Sequence, residues 1–478
     1  MTTRASAPSP VATPIEEACY WLDRSRDAGR GAGLAGEEVA VLEGEHDADL
    51  AIVGGGFTGL WTALFAKSLE PSLRVVLLER EELAYGASGR NAGILSDTID
   101  HSHALAIEHF GRQEATRLVA LGRENLAEML AFIEAHAVDC ALEQTGVLTA
   151  AIAEHHLPAL AAAVDCARSL GATDYQLLDE GAMRSEIHSE LYRGAMWNPA
   201  GGVLDPVKLA QGLAREARRA GVAVFERSGV TSLEADGPLA RVTTAKGTVR
   251  ARRVVLGMSA YTHELVRRAA WRFLPLYDYV VASRPLTPEE AALIGWKNRQ
   301  GVNDARSFFN YYRLTEDNRV VFGTSEAAYY APNRVAPELD HSPRHYAELL
   351  ASFRALFPAL AELEFPYRWG GAICASTRFT PFFGRALGDR VVYGLGFTGH
   401  GLGTTHLAGK ILAHLALERG TPLTELELVR SLPLPYPPEP LRGWAVRRVT
   451  SALRHVDAGG KPSLLLRCLD ALGIGLSS

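Results

Sequence analysis

The stretch from Asp49 to Arg80, DLAIVGGGFTGLWTALFAKSLEPSLRVVLLER, restricts the fold more than any other part of the chain. Leu50 to Val53 is a short apolar run that reads as a buried parallel strand. It feeds Gly54-Gly55-Gly56-Phe57-Thr58-Gly59, a G-x-G-x-x-G turn, and Leu60 to Leu69 then reads as a helix. Arg74 to Leu78 forms a second apolar strand, and Glu79 lies twenty positions past the last glycine. Gly54 permits the tight turn, Gly56 lets a pyrophosphate reach the backbone, and Gly59 lets helix and strand pack closely. The helix N-terminus presents unpaired N–H groups and a positive dipole end to phosphates. Glu79 can accept hydrogen bonds from a ribose, and its charge disfavours a 2′-phosphate. Strand, glycines, helix, second strand and acid together specify a dinucleotide-binding βαβ unit.

The chain has 478 residues, enough for two to three domains or one large interleaved pair. Its net charge of −6 gives no reason to expect nucleic acid as a partner. Five cysteines (Cys19, Cys140, Cys166, Cys374 and Cys468) are scattered without metal-ligand spacing, as in a reducing cytoplasm. The opening MTTRASAPSPVATP lacks the apolar centre of a signal peptide, and no apolar run reaches the roughly 18 residues of a membrane helix. A cytoplasmic protein with no integral membrane segment is therefore expected.

Residues 1–14 read as disordered. Ile15 to Arg24 reads as a helix whose Glu16, Tyr20, Trp21 and Leu22 lie on the main body. Tyr85 to Leu95, YGASGRNAGIL, is too rich in small residues to fill a core and suits close approach to a flat or anionic ligand. Ile107 to His136 and Leu157 to Leu170 carry helical periods, Ala195 to Leu204 is turn-rich, and Asp205-Pro206 starts a helix running to about Ala220. Leu274 to Ser283 alternates as a half-buried antiparallel strand, with Leu276, Asp278 and Val280 on one face. Ser307 to Leu314 and Arg319 to Gly323 read as a hairpin, and Tyr367 to Ile373 as a further strand. Arg390 to Leu395 is a strand entering a second glycine loop, Gly396 to Thr404, before a helix expected from about Thr405. Leu441 to Ser478 reads as two short helices docked on the protein's own surface.

Nucleotide-type segments at both ends bracket long antiparallel stretches. The expected fold is α/β: a Rossmann-like βαβ domain interleaved with an antiparallel-sheet α+β substrate domain. The expected boundaries are an arm over 1–44 and a nucleotide domain over 45–110, 195–268 and 366–428. A substrate domain over 111–194 and 269–365 and an extension over 429–478 complete them.

Four segments resemble the D-amino-acid-oxidase-like family of FAD-dependent amine oxidoreductases, in particular its γ-glutamylputrescine oxidase-like branch. They are IVGGGFTGLWTAL through LLER, YGASGRNAGIL, RWGGAICASTRFTPFFGR and GLGFTGHGLGTTHLAGK. The resemblance implies non-covalent FAD, oxidation of an amine C–N bond to an imine, and transfer of the electrons to O2 or another acceptor. It implies that Gly54, Gly56, Phe57, Thr58 and Gly59 hold the pyrophosphate, that Glu79 binds the ribose and Arg80 lies near the adenine, and that Val230 contacts adenine through its backbone. Ser88, Gly89, Arg90, Asn91, Ala92, Gly93 and Ile94 would line the flavin. Gly399, His400, Gly401, Leu402, Gly403 and Thr404 would hold its pyrimidine edge. His400, Arg90 and Tyr311 are the candidate catalytic residues. Tyr277, Tyr311 and Trp369, with Tyr312, would cage the amine, and Arg313 and Arg378 would bind an anionic tail. Cys374 is read as a buried structural thiol.

Sarcosine-oxidase-like relatives carry a lysine at the flavin face and another after the last glycine loop. This chain has valines in Arg319 to Gly323, and Gly403 at the second position. An amine distant from a carboxylate, or lacking one, fits that pattern. Two other readings stay open: an amine or amino-acid dehydrogenase not using O2, and a flavin-carrying subunit of a larger dehydrogenase. The first glycine motif alone would also suit an NAD(P) enzyme, but the two later glycine loops argue for a flavin.

Overall fold

The computed structural model of the chain describes residues 18–28, 40–471 and 474. Among them, two eight-stranded sheets carry the fold. In the first, the strands Phe382–Ala386, Val391–Leu395, Gly247–Leu256, Gly44–Val53, Val75–Leu78 and Ala223–Phe225 lie side by side in that order. Leu239–Thr244 and Val230–Asp236 extend from Gly247–Leu256 as antiparallel neighbours. From Val391–Leu395 across to Ala223–Phe225 the pairing is parallel. Parallel strands are covered on both faces, so Leu50 to Val53 and Val75 to Leu78 are apolar without alternation. Val53 pairs with Leu256 on one side and Leu78 on the other. The first glycine turn therefore leaves the sheet where its strand order reverses, the place where ligands collect in open α/β sheets.

The second sheet has the order Tyr367–Ser376, Phe273–Pro285, Arg319–Tyr329, Asn310–Leu314, Gly301–Asp304, Val147–Ala151, Gly194–Asn198 and Gln176–Asp179. All its pairings are antiparallel except that of Gly301–Asp304 with Val147–Ala151. Gly194–Asn198, expected as turn, and Tyr367–Ser376 both belong here and not to the nucleotide side. Phe273–Pro285 is covered on both faces, not half-exposed. Tyr277, Tyr279 and Val281 enter a core with Phe322 and Phe353, whereas Leu274, Leu276, Asp278 and Val280 face a cavity. Within Ser307 to Leu314 only Asn310–Leu314 is strand, and the preceding residues form a loop at that cavity.

Helices Phe57–Leu69 and Gly401–Ala416 each follow a glycine turn off the first sheet. The second starts at Gly401, four residues before the expected Thr405, with His400 at its N-cap. The two pack directly on one another: a Cβ at Gly409 would lie 2.5 Å from Trp61 Cβ and 2.8 Å from the Thr62 nitrogen. The arm helix Tyr20–Ala28 buries Tyr20, Trp21 and Leu22 against Val280, Val321 and Trp369, and Tyr20 Oη donates to Asp317 at 2.7 Å. Glu16 of the expected arm contact lies outside the described residues. At the far end, helices Leu441–Asp457 and Leu464–Ala471 lie over the cavity. Asp457 fastens the first of them by accepting from Ser307 N at 2.7 Å and Phe308 N at 2.9 Å. Among the described residues no helix is long and apolar enough to cross a membrane.

Because backbone as well as side-chain atoms bound the Gly409 contact, Gly409→Leu cannot be absorbed by a rotamer change. The substitution is expected to cost about 3 kcal/mol, read as a loss of thermal stability together with a fall in bound chromophore.

Candidate active site

A cavity of about 1000 Å³ opens between the two sheets. That is the upper end of the range for ligand sites. Three loops and the inner face of the second sheet line it.

The first loop is the G-x-G-x-x-G turn. Gly54 has φ 109°, and a Cβ there would meet Gly257 O at 2.6 Å, so only glycine fits. Gly59 approaches Gly54 O so closely that a Cβ would lie at 2.0 Å, which is the helix–strand contact expected of it. Gly56 lines the cavity, where a Cβ would come 2.7 Å from Ser88 Oγ. Glu79 accepts from Gly55 N at 2.7 Å and Glu81 N at 2.9 Å, and burial pushes its carboxyl above the usual range. The Arg80 guanidinium lies 4.6 Å over the Tyr261 ring, beside Val230 in the cavity wall.

The second loop holds a single helical turn, Ala87–Arg90. Ser88 Oγ accepts from Phe57 N at 2.9 Å, which ties it to the first loop. Asn91 folds back, its side chain donating to Ala87 O and Ser88 O and accepting from Gly93 N. Arg90 donates to Tyr85 O and Gly370 O and pairs with Asp340 at 2.8 Å, so it locks loop to sheet. Gly89 and Gly93 are small for packing: a Cβ would clash with Ala84 O and Leu204 O respectively.

The third loop runs from Gly396 into helix Gly401–Ala416. Its first-turn N–H groups lack helical partners, and the positive dipole end faces the cavity. His400 Nε2 lies 2.6 Å from Thr98 Oγ1, and His101 Nε2 lies 2.6 Å from Thr398 O. Burial, with His101 next in weight, lowers the His400 pKa to about 3, so this ring stays neutral at working pH. Asn125 donates to Gly403 O at 3.0 Å and receives His406 Nδ1 at 2.7 Å, bracing the loop from behind. Cys374 lines the cavity as a thiol, its pKa raised to about 12 by burial.

All but three of the residues expected at the cofactor line this one cavity. The exceptions are Gly59, Gly89 and Thr404, which stand behind the wall. The expected substrate residues divide differently. Tyr311 lines the cavity. Tyr277 points to the opposite face of its strand, its hydroxyl bound to Ala336 O and N. Trp369 is on the cavity side but farther along, sealed under the arm helix with its Nε1 donating to Arg90 O. Arg313 is buried in the same region and donates to Leu204 O and Leu314 O. Arg378 binds Thr380, Pro381, Leu428 and Ser431. These four are not brought to the cavity: alternation turns Tyr277 away, position along the strand removes Trp369 and Arg313, and Arg378 lies in the turn after Tyr367–Ser376, tied to the Leu428–Ser431 segment. Aromatic and arginine content alone does not reveal that.

Sequence reasoning assigned no role to Asp278. Its Oδ2 accepts from Tyr311 Oη at 2.6 Å, and its Oδ1 has no hydrogen-bond partner among the described residues. Burial raises this carboxyl to a pKa of about 7. A lone acid within the apolar series Leu274, Leu276, Val280 was the available signal. Phe308, Phe309, Trp444 and Leu453 at the roof were also missed, since their approach depends on the docked C-terminal helix.

A parallel sheet whose glycine turns open on a cavity floored by an antiparallel sheet defines a two-layer, dinucleotide-dependent oxidoreductase. The chain belongs to the FAD dependent oxidoreductase (DAO) family, whose sequence model matches residues 49–415. It is 33% identical over 368 residues to the gamma-glutamylputrescine oxidoreductase of Escherichia coli strain K12, covering 77% of this chain and 83% of that protein. It is 28% identical over 381 residues to the probable oxidoreductase OrdL of Haemophilus influenzae, with 78% and 83% covered. The crystal structure of glycine oxidase from Geobacillus kaustophilus shares the fold, with TM-score 0.67 and 23% identity over 81% of this chain and 100% of that one. The protein is thus an FAD-dependent oxidoreductase acting on amine C–N bonds. The bare Gly56 surface and the two helix N-termini facing one cavity suit the diphosphate and the polar ring edge of that cofactor.

Gly56→Leu would fill the phosphate approach, and about a tenfold loss of bound flavin is expected from the absorbance ratio of the purified protein. The His406 pKa is lowered to about 3, chiefly by burial and then by Lys410. The unfolded chain therefore binds a proton that the fold refuses, so His406 withdraws stability as pH falls below about 6.5. The cost reaches about 2 kcal/mol at pH 5. His406→Gln should lose correspondingly less stability between pH 7.5 and pH 5 in urea unfolding.

Proposed function

We propose that the protein oxidises an amine whose reacting nitrogen is remote from any carboxylate. The observation that carries this is the charge lining the cavity. Arg90 is engaged by Asp340, Arg306 by Asp304, and Arg442 by Asn333 and Pro437 O. Among the described residues no lysine lines the cavity. An α-carboxylate next to the reacting carbon would be desolvated there without a counter-charge, at a cost of several kcal/mol. The relative named for gamma-glutamylputrescine supports the reading, since that compound carries a primary amine at the end of an aliphatic chain.

Bound FAD would supply hydride acceptance, the chemistry by which an amine C–N bond becomes an imine open to hydrolysis. The chain's own part is binding, orientation and charge. Gly54, Gly56, Phe57 and Thr58 would present backbone to the diphosphate, Glu79 would receive the ribose hydroxyls, and Arg80 and Val230 would flank the adenine. Ser88 to Ile94, fixed by Arg90 and Asn91, would lie along the ring system. The N-terminus of helix Gly401–Ala416 and neutral His400 favour negative charge on the ring's polar edge. The first sheet forms the FAD domain and the second the substrate domain. The site is cytoplasmic, and the electrons pass to O2 or to another acceptor.

Anaerobic titration of the yellow protein with polyamines, γ-glutamyl amines, N-methyl amino acids and aminophosphonates tests the proposal. Amines without a nearby carboxylate are expected to bleach the visible flavin band. Bleaching by α-amino acids alone would contradict it. NAD(P) bound in place of flavin would sink the cofactor assignment.

A further inference from the structure

Among the described residues, two buried side-chain atoms of cavity-lining residues have no hydrogen-bond partner, His103 Nε2 and Asp278 Oδ1, and the second is an acid on the sheet floor. Asp278 sits on Phe273–Pro285 opposite Gly371, between the second and third loops. Gly371 has no side chain, and its Cβ position would lie 3.0 Å from Arg90 Cδ. Two residues along that strand, Ile373 Cδ1 would lie 4.0 Å from a Cβ built at Gly399. The Asp278 carboxylate thus stands at the floor between the two loops assigned to the flavin ring, with Leu276 and Val280 beside it.

A packing role accounts poorly for this residue. Leucine or valine would suit the floor, as at the flanking positions. Instead the chain buries a carboxylate with no cation partner: Tyr311 Oη donates to Oδ2, the Tyr279 backbone N–H also favours the ionised form, and Oδ1 has no partner at hydrogen-bond geometry. A buried polar atom left without a partner loses its hydration with nothing in return. The neighbouring titratable groups give it no compensation. Arg90 belongs to Asp340 and Arg306 to Asp304, while burial keeps His101 and His400 neutral. Tyr311, its own pKa raised well above 10 beside this carboxylate, remains a donor throughout.

We propose that Asp278, oriented by Tyr311, is the carboxylate that receives the substrate's ammonium group through Oδ1 and removes its proton. The step breaks one N–H bond, forms one O–H bond and moves no electrons. The neutral amine it leaves has the nitrogen lone pair that hydride loss from the adjacent carbon requires. This rests on the amine reading above and deepens it. The preferred substrates are primary or secondary amines that arrive as cations and present no anionic group within reach of Asp278.

The test uses flavin-loaded protein and tert-butylammonium, whose carbon next to nitrogen bears no hydrogen and so cannot be oxidised. In isothermal titration calorimetry, wild type should bind it about tenfold more tightly at pH 8 than at pH 6, because the carboxyl ionises near pH 7. Asp278→Asn should lose both the affinity and the pH dependence while retaining flavin. Tyr311→Phe removes a hydrogen bond that favours the ionised form, so it should move the midpoint upward. Unchanged binding and pH dependence in Asp278→Asn overturns the proposal. Should that variant fail to hold flavin, an unmoved midpoint in Tyr311→Phe overturns it instead. If amines bleach the wild-type flavin while these results go against Asp278, only the present assignment falls. If no amine bleaches it, both fall.

Discussion

The contact of Gly409 with Trp61 and Thr62 sets the geometry on which the rest of the site depends. Two helices from opposite ends of the sequence lie against one another without an intervening side chain. Each begins at a glycine turn, so their closeness brings two sets of unpaired N–H groups to one cavity. Trp61 is nearly fully buried, with the His406 ring edge-on at 4.6 Å. His406 in turn reaches Asn125, which holds Gly403 O. Helix packing, a buried polar pair and the third loop form one continuous chain of contacts.

The two walls of the cavity are different kinds of structure. The loop wall is built from backbone: glycines, helix ends and turns whose conformation is locally determined. The sheet wall is built from side chains on one face of a largely antiparallel sheet. There a residue's neighbours come from strands far apart in sequence, as Asp278 meets Tyr311 and lies opposite Gly371.

That difference explains what could be read beforehand. The βαβ unit, its acid and both later glycine loops were legible because their φ angles and spacings leave few alternatives. Gly54, at φ 109°, is an example. The arm's Tyr20, Trp21 and Leu22 were legible from their apolar face. Tyr277 was misplaced because residue type does not tell which face of a strand is floor and which is core, Trp369 and Arg313 because it does not tell how far along that face the cavity extends, and Arg378 because its turn folds back onto Leu428 and Ser431. Asp278 is the converse case, a polar residue within an apolar alternation, given no role because the cavity above it was not visible in the sequence. Gly194–Asn198 and Tyr367–Ser376 changed sheets because strand partners are set by tertiary pairing, not by local propensity.

The C-terminal roof has a further meaning. Helix Leu441–Asp457 lies beyond the span, 49–415, that defines the family, yet Trp444, Val449 and Leu453 bound the cavity. Its anchor grips Ser307 and Phe308, just ahead of the strand that bears Tyr311. Headroom in the cavity is therefore set in part by a helix outside the span shared with the family. A change confined to that helix would resize the chamber while leaving both glycine turns as they are.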